Sequence, residues 1–572
     1  MSASSEREDW LHIRAIPDWK YKEILVDVVQ SRPPAPRITT DQCTVFARRE
    51  GAYHHVVCIS LLRQHQTERY AIRVPAHGTA EYWGEEDRYM LRREAELLRQ
   101  IRHNTTIPAP NVIAFYTELD DTLGAPYMIQ EVLPGNNAYS IWFDQPYDEA
   151  TAYLSADKPT PQTQRKRLNM LKSLAGYMTQ LAYLEYPLIG MPNIPFRYDI
   201  RDASACEDSN SVIGPTYHWN SSTDPHAVVK RGPFPSTQAY IKASFDDLFD
   251  IGKLCKDRDP ETDVQLQMQL GARKVLEIIF STTPFNVEEE SFVIHHHDLD
   301  LQNILTDEDG YVTGIIDWDG AFAGPRCIGP AAAPKFLVRD WYPDEHGEFL
   351  EESPHMAWNT QYYRDVYAGA VREAELQQGT FNDAKYTSKS AIYRQAFAAL
   401  YGGGLPMDFT DKVLRQIGIC QHPHDFKVML GRGGFISAEE MLKDKLVALF
   451  EPEIPDEKFM QELAAGSAVK PSLKRDPVEV GLENLQVAPK RTKTFDIPPK
   501  MIETLFQRLI ESNMIRMGHG GLLSLPDEHL PRPRSPPKFY FDEKLERRIT
   551  HTVETDEYGN VITPLGFDVL NI

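Results

Sequence analysis

Val293-Ile294-His295-His296-His297-Asp298-Leu299-Asp300-Leu301-Gln302-Asn303-Ile304-Leu305, followed by Gly314-Ile315-Ile316-Asp317-Trp318-Asp319, is the stretch on which the rest of the chain is organised. An apolar run enters a polar loop and a second apolar run leaves it. Asp307-Glu308-Asp309-Gly310 is a turn signal, and Tyr311 to Ile316 is β-prone. The pattern predicts a strand, a loop and a hairpin whose arms return Asn303 and Asp317 to one open end, near Asp298. Two carboxylates and a carboxamide gathered there suit phosphoryl transfer, in which the protein positions reactants and neutralises charge. Asp298 has the chemistry to accept the proton of an attacking hydroxyl. Asn303 and Asp317 offer hard oxygen ligands of the kind Mg²⁺ takes, with nucleotide phosphates and water completing its octahedron.

The spacing His296-x-Asp298-x-x-x-x-Asn303 equals the protein-kinase catalytic-loop pattern, and Asp317 stands where that pattern has its metal-binding Asp. The two motifs together resemble the aminoglycoside phosphotransferase (APH) family, whose loop is usually His-Gly-Asp-Leu-His-Pro-Gly-Asn and whose metal motif is Ile-Asp-Trp-Glu or a close variant. The resemblance implies a bilobal protein-kinase-like α+β fold, ATP and Mg²⁺ as cofactors, and a small-molecule hydroxyl as acceptor. Fungal genomes hold many members that read like this chain. The histidine run with Asp298 also suits zinc by residue type. Strand alternation, however, sends His295 and His297 to one face and His296 to the other, so the rings do not converge. His296 is expected to brace the loop.

The chain has 572 residues, 42% hydrophobic and 25% charged, an ordinary globular composition. Its formal net charge of −22 argues against nonspecific binding to nucleic acid or an acidic membrane. The six cysteines, at 43, 58, 206, 255, 327 and 420, form no Cys-x-x-Cys and read as free thiols of a reducing compartment. Residues 1–9 are polar and acidic, without a signal peptide's apolar core. No apolar run approaches the ~20 residues that span a bilayer. The expected location is cytoplasmic.

Taken in order, residues 1–37 form an N-terminal extension in which Trp10, Leu11, Ile13, Ile16 and Trp19 are candidates for packing onto the body. Residues 38–133 are the expected small lobe. Cys43–Phe46 and His55–Leu62 read as strands around a turn holding Gly51, which the resemblance places over the nucleotide phosphates. Glu68–Pro75 is a third strand. It resembles the one carrying a phosphate-anchoring lysine, but Arg73 stands there, and arginine is not interchangeable with lysine. Leu91–Arg102 is an amphipathic helix with Glu94 at the edge of its buried stripe, the expected partner of Arg73, and Glu96 pointing away. Pro126–Gly135 resembles the last small-lobe strand and hinge, with backbone near Glu131 and Val132 facing adenine.

Residues 134–450 are the expected large lobe. Leu168–Leu184 has a 3.6-residue period, and 199–236 reads as a loop-rich insertion near the acceptor entrance. Helices are expected near 358–376 and 388–400. Residues 451–572 form a C-terminal extension: a charged, proline-punctuated linker, a helix over Met501–Ile510 and a tail. In site terms the resemblance implies Asp298 as base, Asn303 and Asp317 on the metal, and Arg73, Glu94, Gly51, Glu131 and Val132 around the nucleotide. Asp300 lies where serine/threonine protein kinases carry a lysine, and Ala333-Pro334-Lys335 is only a partial Ala-Pro-Glu, which points to a small molecule over a peptide. The competing reading is a nucleotide-binding pseudokinase that regulates or scaffolds, with a protein kinase third.

Overall fold

Alternating apolar residues build the first layer. The computed structural model describes residues 10–453, apart from short gaps and the longer stretches 145–155, 194–212, 220–227 and 342–359, and beyond these residues 516–517 and 523–524. Strands β1 (Cys43–Glu50), β2 (His54–Arg63), β3 (Gln66–Pro75), β4 (Val112–Tyr116) and β5 (Tyr127–Glu131) form an antiparallel sheet in the order β1-β2-β3-β5-β4. Period-two alternation sends Val57, Ile59, Leu61, Ile72 and Val74 to one face, in a core with Tyr127 and Ile129. Their neighbours Val56, Cys58, Ala71 and Arg73 therefore face the other way, toward the cavity described below.

Each face of the sheet has its own helix. Helix α1 (Trp10–Ala15) and helix α2 (Asp18–Gln30) come from the N-terminal extension. Tyr21, Ile24, Leu25, Val28 and Val29, at helical spacing, are buried in the same core as the sheet's first face. Of the five residues expected to pack, Ile13 and Ile16 are buried, whereas Leu11 is 84% and Trp19 57% exposed. Arg14 grips Glu50 through two bonds of 2.8 and 2.6 Å, and Arg48 donates to the Ile16 carbonyl at 3.0 Å. The exposed Arg14–Glu50 pair contributes little beside the apolar contact. Helix α3 (Glu85–Asn104) covers the opposite face with Leu91, Ala95, Leu98 and Ile101, in a core shared with the large lobe. Its first turn is acidic, its last turn carries Arg102 and His103, and Asp87 accepts from the Gly84 N–H at 2.8 Å, all favourable to the helix dipole.

The large lobe is mainly helical. Pro161–Met178, Val264–Phe280, Thr360–Gln378, Ser390–Ala398, Leu405–Gln416, Pro423–Gly431 and Ile436–Phe450 include the predicted helices. Thr160 and Asp263 cap the first two by accepting from Thr163 and Leu266 N–H groups. The predicted strand Phe292–His295 pairs with Phe322–Pro325 and Glu185–Tyr186. The predicted hairpin is Ile304–Thr306 against Val312–Ile315, extended by Asn136–Asn137 just after the hinge. Its turn closes with Asp307 accepting from Asp309 and Tyr311 N–H groups, and Gly310 at φ 89°. A side chain there would strike the Lys166 carbonyl at 2.4 Å, so the turn is pinned to the Pro161–Met178 helix.

The chain divides into two compact units, Met1–Pro471 and Ser472–Ile572. In the second, Arg516–Met517 pairs with Leu523–Ser524. The expected linker beyond residue 453 and the helix over Met501–Ile510 lie outside the described residues. Among the described residues, no helix is long and apolar enough to cross a membrane.

Docking of α2 yields a direct test. Ile24→Ala should destabilise the protein by about 2–5 kcal/mol, the range for truncating a buried aliphatic. Leu11→Ala should stay within about 0.5 kcal/mol. Denaturant midpoints of the two variants check this; equal shifts would mean that the helix does not pack as described.

Candidate active site

The hairpin does what its sequence predicted. Ile304 pairs with Ile315, and the Ile316 N–H donates to the Asn303 carbonyl at 2.9 Å, so Asn303 and Asp317 leave the hairpin side by side. The side-chain nitrogen of Asn303 donates to the Asp298 carbonyl at 2.8 Å and to Asp298 Oδ2 at 3.0 Å, closing the loop on itself. His296 Nε2 lies 3.1 Å from the Ile316 carbonyl, and its ring packs edge-on against Trp318 with centroids 4.6 Å apart. Trp318 is buried and donates to the Ile315 carbonyl at 2.9 Å. His296 is thus a brace between the two motifs. His295 and His297 lie with their rings 6.5 Å apart.

Asp317 is the only non-glycine residue with positive φ among the described residues, at 64°. Aspartate takes this conformation more readily than most residues, yet at a cost of roughly 1–2 kcal/mol. An opposing interaction holds it there. Arg73 Nη2 lies 2.8 Å from Asp317 Oδ1, while Arg73 Nη1 lies 2.5 Å from Glu94 Oε1. One guanidinium from β3 thus joins α3 of the small lobe to Asp317 at the end of the large-lobe hairpin. It is buried rather than solvated. Burial opposes its charge, but Glu94, Asp317 and Asp319 together raise its pKa. Burial pushes the Glu94 carboxyl up, against the pull of Arg73 and with help from Asp319 and Asp317. Asp319 is likewise pushed up by burial, with Arg73 opposing.

These groups line one cavity of about 820 Å³. Gly51 lines it beyond the β1–β2 turn, as do Glu131 and Val132 at the hinge. The N–H groups of Glu131 and Val132 are already given to the Asn111 and Arg69 carbonyls at 3.1 and 3.0 Å. Glu96, expected to point away, is instead buried and paired with Arg93 at 2.8 Å. The cavity also takes in His54, His77, Trp83 and Asp87, which the sequence did not single out, and Lys335, which it marked only as the end of a partial Ala-Pro-Glu. Tyr217, from the loop-rich insertion, lines it too. Lys335 Nζ sits 2.7 Å from Asp298 Oδ1. Nothing local in Ala331–Leu337 marks that lysine as a partner of Asp298; only the fold carries it back to the loop.

The donor set fits Mg²⁺. Both hydrogen bonds of the Asn303 side chain use its nitrogen, and Asn303 and Asp317 both line the cavity. Among the described residues no group of three His, Cys, Asp or Glu side chains closes on a point. One carboxylate and one carboxamide suit a cation that draws its remaining ligands from phosphates and water.

The five-stranded sheet, the hinge and the helical lobe around this loop define a bilobal, protein-kinase-like α+β fold. Residues 226–356, which contain both motifs, match the model of the phosphotransferase enzyme family, APH. That is the family that the two motifs resemble. No curated protein matches the chain. Among solved structures it is similar to a macrolide 2'-phosphotransferase type I, at 12% identity and TM-score 0.31, over 75% of this chain and 96% of that one. It is similar to a choline kinase from Cryptosporidium parvum Iowa II, at 11% identity and TM-score 0.31, over 75% and 98%. A third is an aminoglycoside phosphotransferase from Alicyclobacillus acidocaldarius, at 12% identity and TM-score 0.30, over 74% and 98%.

The Arg73 fork predicts strong coupling. Arg73→Met should cost about 3–5 kcal/mol, because it strands the buried Glu94 carboxylate. Adding Glu94→Met should recover part of the loss. A double-mutant cycle in denaturant checks it, and simple additivity would show that the pair does not interact.

Proposed function

We propose that this chain transfers the γ-phosphoryl group of ATP to a hydroxyl of a small molecule. The observation that carries this reading is the convergence of Asp298, Asn303, Asp317 and the Arg73–Glu94 pair on one cavity. In the transfer, the acceptor oxygen bonds to phosphorus as the bond to the ADP oxygen breaks. The electron pair leaves with ADP and the hydroxyl proton passes to Asp298.

An ionised carboxylate has about four acceptor sites. Asp298 uses three, for Lys335, Asn303 and a longer contact of 3.4 Å from Gln302. The remaining one suits an acceptor hydroxyl. Burial opposes the charge of Asp298, but the Lys335 ammonium outweighs it and holds the carboxyl below its ordinary pKa. Asp298 is therefore a weak base. That suffices for a loose transition state, where orienting the nucleophile matters more than removing its proton early. Asn303 and Asp317 would hold Mg²⁺, which when bound neutralises phosphate charge. Arg73 keeps N–H donors beyond those facing Glu94, Asp317 and, at 3.5 Å, His54 Nδ1, since a guanidinium has five. It can therefore face phosphate without leaving its partners. Gly51 leaves the β1–β2 turn open above the same space.

The acceptor reading rests on Asp300. It turns away from the cavity to pair with Arg339, and its own Oδ1 accepts the Leu301 N–H at 2.9 Å. Tyr217 brings the loop-rich insertion to the cavity, a side-chain-lined concavity that suits a metabolite.

Asp298→Asn should lower turnover by about 10²–10⁴-fold with ATP affinity nearly unchanged. Asp317→Asn, which keeps the left-handed backbone accessible, should weaken Mg²⁺–ATP binding more than metal-free ATP binding. Purified protein, ATP, Mg²⁺ and a metabolite extract provide the assay, with labelled products and nucleotide titrations as readouts. A thermal shift with ATP but no ATP consumption with any acceptor would favour the pseudokinase reading.

A further inference from the structure

We infer that Lys335 supplies the cation that balances the transferring phosphoryl group, in place of a lysine on the catalytic loop. The inference rests on the phosphotransferase reading and extends it to a residue 37 positions downstream of Asp298.

Three contacts fasten the 335–339 segment to the loop. The Lys335 N–H donates to the Leu299 carbonyl at 2.8 Å, Lys335 Nζ donates to Asp298 Oδ1 at 2.7 Å, and Arg339 pairs with Asp300. The segment is itself held from behind. The Ala333 N–H donates to Ser390 Oγ at 2.8 Å, Arg394 donates to the Ala333 carbonyl at 2.9 Å, and Phe336 packs edge-on against Trp142 with centroids 4.8 Å apart. A flexible surface lysine would need none of this. The ammonium is also placed where charge moves. It lines the cavity beside Asp298, which the reading sets against the acceptor oxygen, so it lies next to the path of the phosphoryl group.

Electrostatics separates the two loop carboxylates. Asp300 is buried against Arg339, so its charge is answered outside the cavity. Asp298 meets the cavity and is answered by Lys335, whose side chain keeps 38% exposure. Oxygen–phosphorus bond formation and departure of ADP spread negative charge over the phosphoryl oxygens, while the proton goes to Asp298. As that carboxylate is neutralised, the ammonium beside it loses its counter-charge and turns its field toward the phosphoryl oxygens. Preorganised donors of this kind act on the transition state far more than on the ground state.

The test uses the full chain and the variants Lys335→Met and Lys335→Arg, with MgADP and aluminium fluoride as the probe of the transferring group. Wild type should bind MgADP more tightly when fluoride is added. Lys335→Met should lose at least about tenfold of that increment while binding MgADP alone within about twofold, and Lys335→Arg should recover most of it. With an acceptor in hand, kcat should fall by about 10²-fold and KM for ATP should hold, as for loss of one oxyanion donor. A full fluoride increment in Lys335→Met would overturn the inference. So would equal losses with and without fluoride, which mark a loop brace. If wild type itself gains nothing from fluoride, the phosphotransferase reading falls first and Lys335 with it.

Discussion

The site depends on one buried cation. Arg73 reaches from a strand of the small lobe to Glu94 on α3 and to Asp317 at the end of the large-lobe hairpin. Remove it and three carboxylates, Glu94, Asp317 and Asp319, face one another around a partly desolvated cavity. A group of like charges in that environment either takes up protons or pushes its supporting elements apart. With the guanidinium in place the small-lobe sheet, its helix and the Asp317 end of the hairpin are held in one geometry. Asp317 keeps its left-handed backbone in the same arrangement, with its carboxylate 2.8 Å from the guanidinium.

Arginine at this place is not a neutral exchange for lysine. A lysine ammonium presents a point charge, which two carboxylates must share from their own directions. A guanidinium presents a planar fork, and here its two terminal nitrogens go to different carboxylates on different lobes. It is therefore well suited to bridging. The geometry is compatible with phosphate contact, because a fork with five donors is not exhausted by Glu94, Asp317 and His54. Nothing in the arrangement requires the arginine to be a mark of lost activity.

The loop from His296 to Asn303 is held by a second set of constraints, drawn from far along the chain. His296 and Trp318 pack edge-on to join the two motifs, Asn303 folds back on Asp298, and the 335–339 segment grips the loop through one backbone and two side-chain contacts. Most of these partners are buried or half-buried, so their bonds face little competition from water. The N-terminal helices play a different part. They cover the outer face of the sheet and leave its inner face, with Val56, Cys58, Ala71 and Arg73, to the cavity.

What the sequence determined by itself was local or periodic. Alternation in Cys43–Leu62 and Glu68–Pro75, the helical period of Leu91–Arg102, and the turn at Asp307–Gly310 each follow from backbone geometry acting on neighbours. The loop from His296 to Asn303 was legible for the same reason, because a strand, a loop and a hairpin bring its residues together within a short span of chain. Glu94 as the partner of Arg73 could be read from its place on the helix edge. Other things were decided only by the tertiary structure. Glu96 is buried with Arg93 though its helical position suggested otherwise, and Leu11 and Trp19 stay exposed while Ile13 and Ile16 pack. Above all, Lys335 meets Asp298 and Arg339 meets Asp300. Such pairings join residues far apart in sequence, and no period or turn rule links their positions; only packing of the large-lobe helices brings their charges within reach.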